Sequence, residues 1–464
     1  MDSIDSKYQL MTQTPVPKLV VKLAIPSIIS MVVTAIYNMA DTFFVSQINT
    51  SASGAVGVSF SLMAIIQAIG FTMGMGSGNL VAKLLGQKDP KEASKVVATT
   101  FYTTLGLGVL FSLLVLIFIN PLVRLLGATE TIFPYARDYT LFILLGAPFI
   151  MSSYVLNNIL KFQGSALYSM FGISIGAIIN IALDPIFIFT LEMGTAGAAL
   201  ATSISQFIGF CILLYASGKG GNIKINIKNF KPEWAVYKEV IRTGIPSFYR
   251  QGLASITGIV LNQTAGPFGD AAIAGMSIVG RVFFFAVSAL IGFGQGFQPV
   301  CGYNYGARLY KRVIEAFRFC IKTASVGLVI LAVIGFIWAP DIVALFRRTD
   351  PVVIEIGTMA MRLQCVTLPL SAWIIITNMM LQTIGKPKEA SVLSLSRQGL
   401  FFLPVILVLP HMIGLLGIQA SQPIADIATF ILSLSMGVKA ARELRLLQQE
   451  QDQVPNGQEA ASPE

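Results

Sequence analysis

Residues 23–47 read LAIPSIISMVVTAIYNMADTFFVSQ, and residues 243–264 read TGIPSFYRQGLASITGIVLNQT. A transmembrane helix needs roughly 20 mostly apolar residues. The first stretch meets that requirement while holding one carboxylate, Asp41. The second opens on the same Ile-Pro-Ser triplet and has Leu261 near the place of Asp41. Working outward from this pair, glycines and prolines recur at an offset of about 220 residues, the mark of an internal structural repeat. Gly70 and Gly74 return as Gly292 and Gly296, Gly86 as Gly306, Pro121 as Pro340, Pro148 as Pro369 and Gly164 as Gly385. Gly194-x-x-Gly197 returns as Gly414-x-x-Gly417. These two residue types have backbone consequences that others do not reproduce, so their shared spacing is a geometric argument.

Apolar windows fall at 19–47, 55–80, 96–120, 139–160, 167–190, 194–216, 240–264, 271–300, 320–340, 360–383, 392–412 and 414–437. The reading is an all-α polytopic membrane protein, with twelve transmembrane helices in two parallel-repeat six-helix lobes. Six spans per half is an even number, so both halves enter the bilayer from one side. Residues 1–18 read as a cytoplasmic N-terminal tail without the apolar region of a cleavable signal. Residues 19–216 form the N-lobe, 217–239 a cytoplasmic connecting loop, 240–440 the C-lobe, and 441–464 a disordered Gln/Glu-rich tail.

Composition agrees. Of 464 residues 54% are hydrophobic and 12% charged, against about 25% charged in soluble chains. That excludes an ordinary cytosolic domain, a collagen and a disulfide-stapled scaffold. The cysteines (Cys211, Cys301, Cys320 and Cys365) are isolated, and His411 is the single histidine, so no metal cluster or catalytic triad can be built and no cofactor is expected. Gly218-Lys219 and Gly385-Lys386 are followed by Gly220 and Pro387, which rules out a Walker loop.

With the N-terminus inside, the inside segments hold 24 of the 32 Lys and Arg, and Arg250, Arg281 and Arg397 fall within spans; the outside segments hold only Arg124, Arg137, Arg347, Arg348 and Arg362. Both termini are therefore expected in the cytoplasm of a cell whose plasma membrane the chain crosses. The net charge of +9 follows from this bias, and no nucleic-acid partner is expected.

A carboxylate inside a bilayer costs several kcal/mol unless paired or protonated, which makes it a functional candidate. Asp41, Asp184 and Asp426 lie deep in spans. Tyr37 and Asn180 stand one helical turn before Asp41 and Asp184. Pro26 and Pro185 should bend their helices and free carbonyls that, beside polar side chains, suit a small cation or a proton relay. The repeat counterparts of the two acids fall near Leu261 and Leu403, so the fold itself does not require them. Each is either a hydrogen-bonded structural carboxyl or part of an ion site. For Asp426 an ion pair with Arg281 or Arg397 is the simpler reading, and Arg250 has no partner in sequence. The glycines at 70, 74, 292, 294 and 296 lie in apolar spans and read as helix-packing positions rather than phosphate loops. Phe283, Phe284, Phe285, Met73, Met75, Met379 and Met380 either line a pocket for flat cations or fill the core.

The Ile-Pro starts, AIYNMADTFFVSQ, NIALDPIFIF and MGTAGAALATSIS resemble the multidrug and toxic compound extrusion family over about residues 15 to 440. The resemblance implies two lobes around an alternating cleft. It also implies export of organic cations or amphipathic drugs in exchange for H+ or Na+. In the prokaryotic DinF-like branch it implies an ion site, with Na+ as a candidate metal, at Asp41, Asn180, Asp184 and Thr202. Tyr37, Asn157 and Tyr139 would surround that site, and Pro26 would be the helix bend. NorM-like and eukaryotic branches place a glutamate eight residues after the second Ile-Pro; here that position is Ala254, which favours a site in the N-lobe. Drugs and membrane lipids are the expected partners of a monomer. The alternative is a lipid-linked oligosaccharide flippase of the same superfamily, with Arg250, Arg281 and Arg397 lining its cleft.

Overall fold

Backbone polar groups in hydrocarbon must be satisfied within the segment, so long apolar stretches fold as helices. The computed structural model describes residues 2–347 and 350–453, and among them every regular element is helical. The first half comprises α1 (Asp2–Gln13), α2 (Val16–Ser46), α3 (Thr50–Gly86), α4 (Pro90–Ile117), the short α5 (Ile119–Leu125), α6 (Phe133–Phe162), α7 (Ala166–Pro185) and α8 (Gly194–Ser217). The second half comprises α9 (Trp234–Ala265), α10 (Asp270–Gly306), α11 (Tyr310–Ile337), α12 (Ala339–Phe346), α13 (Pro351–Thr367), α14 (Leu370–Thr383), α15 (Pro387–Leu395), α16 (Phe402–Ile413) and α17 (Leu415–Gln453). Local chemistry sets the starts. Asn49 caps α3 by accepting from the Ala52 amide at 2.7 Å, and Asp89 caps α4 by accepting from the Glu92 amide at 3.0 Å.

The fold is the expected one, a twelve-span membrane bundle. Ten described helices are long and apolar enough to cross a membrane. The α13–α14 pair makes a further span with a 55° bend, at Pro369, which cannot supply a helical N–H. The remaining span is α9, 32 residues long; Lys238, Glu239, Arg242 and Arg250 dilute its apolar character.

One terminal expectation needs correction, and the other terminus proves structured. The tail read as disordered from 441 is helical through Gln453, because α17 still has partners there. Ala440 and Leu444 are buried, Glu443 pairs with Lys386, and Gln448 accepts from the Lys311 amide; residues 454–464 lie outside the described residues. The N-terminal tail contains α1, whose Met11 is fully buried. Lys7 donates to Ser165 (2.8 Å) and to Asn222 in the first half. Asn304 and Arg312 of the second half donate to the Met11 and Thr14 carbonyls at 3.1 and 2.6 Å. The first helix thus ties the two halves together.

The lobes meet where α2 packs on α10 and α3 on α9, at the end that bears α1 and segment 218–233, called here the loop side. A Cβ on Gly76 would lie 2.0 Å from the Val240 carbonyl oxygen, and one on Gly244 2.1 Å from that of Thr72. A Cβ on Gly86 would lie 2.2 Å from the Tyr303 oxygen, and one on Gly306 2.1 Å from that of Lys83. Backbone approaches this close admit only glycine. The packing reading of Gly292 and Gly296 also holds: they lie against Ile28 and Ala24 of α2. Lys161, fully buried, donates across the lobes to Gln295 at 2.7 Å, and Thr383 donates to Asn79 at 2.6 Å. On α10 the run Gly294–Asn304 is buried, whereas its first half is mostly half-exposed. The bundle is closed at the loop side and looser at the opposite end.

Candidate functional site

Asp41 lies on α2 about one and a half turns before its end, and Asp184 is the last residue but one of α7. Pro185 follows, and the helix continues as a π turn over Ile186–Thr190, a distortion that recurs at functional sites. Proline lacks the donor for a regular turn, so the wide turn is its local consequence. At Pro26, by contrast, α2 runs on without a break. Ser27 and Ser30 donate to the Leu23 and Pro26 carbonyls at 3.0 and 2.9 Å, satisfying the backbone around the ring.

Asn180 is the hub of the site. Its amide donates to Asp184 Oδ1 and to Thr202 Oγ1 of α8, both at 3.2 Å. Asp41, Tyr37 and Tyr139 stand within electrostatic reach of Asp184. All of these side chains are buried, Asp184 completely. Tyr139 directs its hydroxyl at Met63 Sδ, 3.7 Å away. Asn157 stands apart from the cluster. It accepts from Ser169, eleven residues before Asn180 on α7, ~16 Å along a helix that rises 1.5 Å per residue.

Three oxygens decide what the cluster can do. Asp41 Oδ1, Asp184 Oδ2 and Asn180 Oδ1 are buried and have no hydrogen-bond partner among the described residues. All three are acceptors. No ion pair among those residues involves Asp41 or Asp184. What such a set lacks is a proton or an oxygen-seeking cation, and oxygen-only ligands suit a hard ion. Among the described residues no three His, Cys, Asp or Glu side chains converge.

The C-lobe differs. Asp426 on α17 is held by Arg397 (Nε to Oδ1 2.9 Å, Nη2 to Oδ2 3.4 Å) and by Gln422 at 2.9 Å. Arg397 also donates to Ser371 at 3.1 Å, and it sits on a second π turn, Ser396–Leu400. The ion pair expected for Asp426 is therefore with Arg397; Arg281 is exposed. Beside the pair opens a cavity of about 440 Å³, lined by Arg250, Thr257, Phe283, Phe284, Asn378 and Gln398 among others. Arg250 has no ion pair among the described residues. Met73, Met75, Met379 and Met380 are core residues, so of that set only Phe283 and Phe284 fit the pocket reading. Sequence alone did not reveal this cavity, nor Lys161 at the closed lobe junction. The one signal for Lys161 was its place among apolar neighbours in ILKFQ.

A bundle duplicated in this way around a junction between two lobes is the build of an alternating-access transporter. The MatE family model matches residues 26–186 and 246–408, once in each half, and the chain belongs to that family of transporters. Curated relatives include the multidrug export protein MepA of Staphylococcus haemolyticus, 28% identical over 93% of this chain and 95% of the relative. MepA of Staphylococcus aureus strain N315 is 27% identical over 91% and 93%. Among solved structures, one described as an outward-facing multidrug resistance transporter of the family superposes with TM-score 0.88, at 28% identity over 94% of this chain and 98% of that one. Another, in complex with MaL6, gives 0.89 at 28% identity over 95% and 99%.

Proposed function

We propose that this transporter is a secondary multidrug efflux antiporter, which exports organic cations or amphipathic drugs in exchange for inward H+ or Na+. The observation that carries the coupling half is the set of orphaned acceptors on Asp41, Asn180 and Asp184. Asp41 and Asp184 take up the ion, Asn180 and Thr202 supply neutral ligands, and Tyr37 and Tyr139 screen the site from water. Ion and drug exclude one another: neutralising the acids lets α2 bend at Pro26 and narrow the space between the lobes. A charge moving down 100 mV yields about 2.3 kcal/mol, a little under two decades of drug gradient.

Relatives named for multidrug export support this reading over a lipid-linked oligosaccharide flippase. The bacterial source of these relatives supports a location in a bacterial plasma membrane, and the distribution of Lys and Arg supports a cytoplasmic loop side. The C-lobe cavity suits the apolar part of an amphipathic drug. Arg250 and the neutralised Arg397–Asp426 pair leave it net positive, so cations are drawn to the acids of the N-lobe. In liposomes, a proton or sodium gradient should drive ethidium movement by wild-type protein, and Asp41→Asn should abolish it while the variant stays folded. Undiminished transport in that variant would remove the ion-site assignment. No movement under either gradient would contradict the antiporter.

A further inference from the structure

On the outer flank of the C-lobe, two adjoining grooves of about 400 and 720 Å³ run between α11 and α17. They share Ile314, Arg318, Lys322 and Arg445; Arg442 rims one and Lys311 the other. Arg318 and Lys322 are four residues apart, Arg442 and Arg445 three, so each pair shares a helix face. All five cations are exposed, and none has an ion pair among the described residues. The carboxylate lining the grooves is Glu315. Glu443, close by on α17, is already held by Lys386.

The floor is apolar and built. Trp373 of α14 stacks edge-on against Phe317 at 5.7 Å, and it needs Gly437 to do so: a Cβ there would come within 2.9 Å of the indole. The indole N–H of Trp373 is buried and has no acceptor among the described residues. One groove therefore joins a ring of uncompensated cations, an unused donor and an apolar strip of Phe317, Ile321 and Val438.

We propose that this groove binds an anionic phospholipid. The phosphate would lie among Arg318, Lys322, Arg442 and Arg445, and an acyl chain would follow the apolar strip toward the membrane interior. Two features favour a lipid over a soluble anion. The cations sit where apolar spans emerge on the basic side of the molecule, and basic pockets between spans on that side suit anionic headgroups. The strip below them matches hydrocarbon, for which a free anion has no use. The long Lys and Arg stems cover that strip while their heads reach the phosphate.

The test uses the full-length protein in a zwitterionic nanodisc, titrated with phosphatidylglycerol or cardiolipin and read by lipid count in native mass spectrometry and by thermal midpoint. Anionic lipid should bind, and the Arg318→Gln, Lys322→Gln, Arg442→Gln, Arg445→Gln variant should bind at least tenfold more weakly. Arg442→Gln with Arg445→Gln alone, both on an exposed helix face, should lose part of the binding and covers the case in which the fourfold variant misfolds. A control lacking the same number of charges in the connecting segment (Lys219, Lys224, Lys228 and Lys231 to Gln) should bind as wild type does. Equal binding of phosphatidylcholine, equal loss in the control, or saturation by pyrophosphate without lipid would each overturn the proposal. Capture of an acidic peptide in preference to lipid would also overturn it.

Discussion

The two halves place different chemistry at equivalent points. Tyr37, Ile173 and Gln206 line a small cavity of about 40 Å³ in the N-lobe. About 220 residues further on, Thr257, Ser394 and Asp426 line the C-lobe cavity of about 440 Å³. Bulky Tyr37 and Tyr154 fill in one lobe what smaller side chains leave open in the other. The acids are inverted as well. The N-lobe has Asp41 and Asp184 where the C-lobe has leucines, and the C-lobe has the Arg397–Asp426 pair where the N-lobe has no charge at Gln206. Duplication kept the glycines and prolines that shape the backbone and released the side chains. One lobe holds unsatisfied buried oxygens on Asp41, Asn180 and Asp184, none of which lines its small cavity; the other offers room for an organic molecule beside a neutralised acid.

The comparison breaks most sharply if the acids prove interchangeable. Asp184→Asn should eliminate gradient-driven transport, at least a hundredfold in initial rate, whereas Asp426→Asn together with Arg397→Gln should leave measurable coupled transport; vesicle assays run in parallel decide. Next in size is stability. Arg397→Ala alone strands a buried carboxylate and should cost about 3–5 kcal/mol, while replacing both partners by apolar residues should be close to neutral. Denaturant melts of the single and double variants separate the two.

The loop-side junction comes third. Gly76→Ala places a methyl group on the Val240 carbonyl, where neither backbone can yield cheaply, so it should shift the population toward the state open on the loop side. Cysteine accessibility on α10 would rise several-fold in that variant; unchanged accessibility would mean that the junction does not open there. A smaller effect belongs to Arg250. Removing its charge with Gln should strengthen ethidium binding a few-fold, since a like charge leaves the cavity, and fluorescence titration reads this directly.

The smallest effect is a pH dependence of α1. Burial pulls the Lys7 ammonium down to about 8 from its ordinary 10.5. Below pH 8 the lysine is charged whether α1 is docked or free, and docking carries the full burial cost. Between 8 and 10.5 the docked form sheds its proton first, so docking strengthens as pH rises. Amide exchange in α1 should slow between pH 7.5 and 9.5 after correction for intrinsic rates, and Lys7→Met should flatten the trend.

Most of the fold was legible because membrane spans and a glycine–proline repeat are written in composition and spacing. The Asn180–Asp184 contact was legible too, as residues one turn apart on a helix. Thr202 was reached only through family resemblance, since nothing local ties α8 to α7. Asn157 also came only from that resemblance, and in the structure it accepts from Ser169, about three turns before Asn180 on α7. The shape of the C-lobe cavity was not legible, because it exists only where residues of seven helices, α9, α10 and α13 to α17, face one another. The tail beyond 440 looked polar and disordered, yet its buried Ala440 and Leu444 find partners that only the folded bundle supplies.

The central claim is that the N-lobe acids alone hold the coupling ion and that drug displaces it. It is tested most directly by ion release from purified protein. Ethidium is added to weakly buffered wild-type protein, with proton release read by a pH dye and sodium release by bound ²²Na. The account predicts release of one of the two ions from wild type, its loss in Asp41→Asn and Asp184→Asn, and its persistence when Arg397 and Asp426 are replaced together. Release that survives in both N-lobe variants and disappears with the C-lobe pair would contradict it.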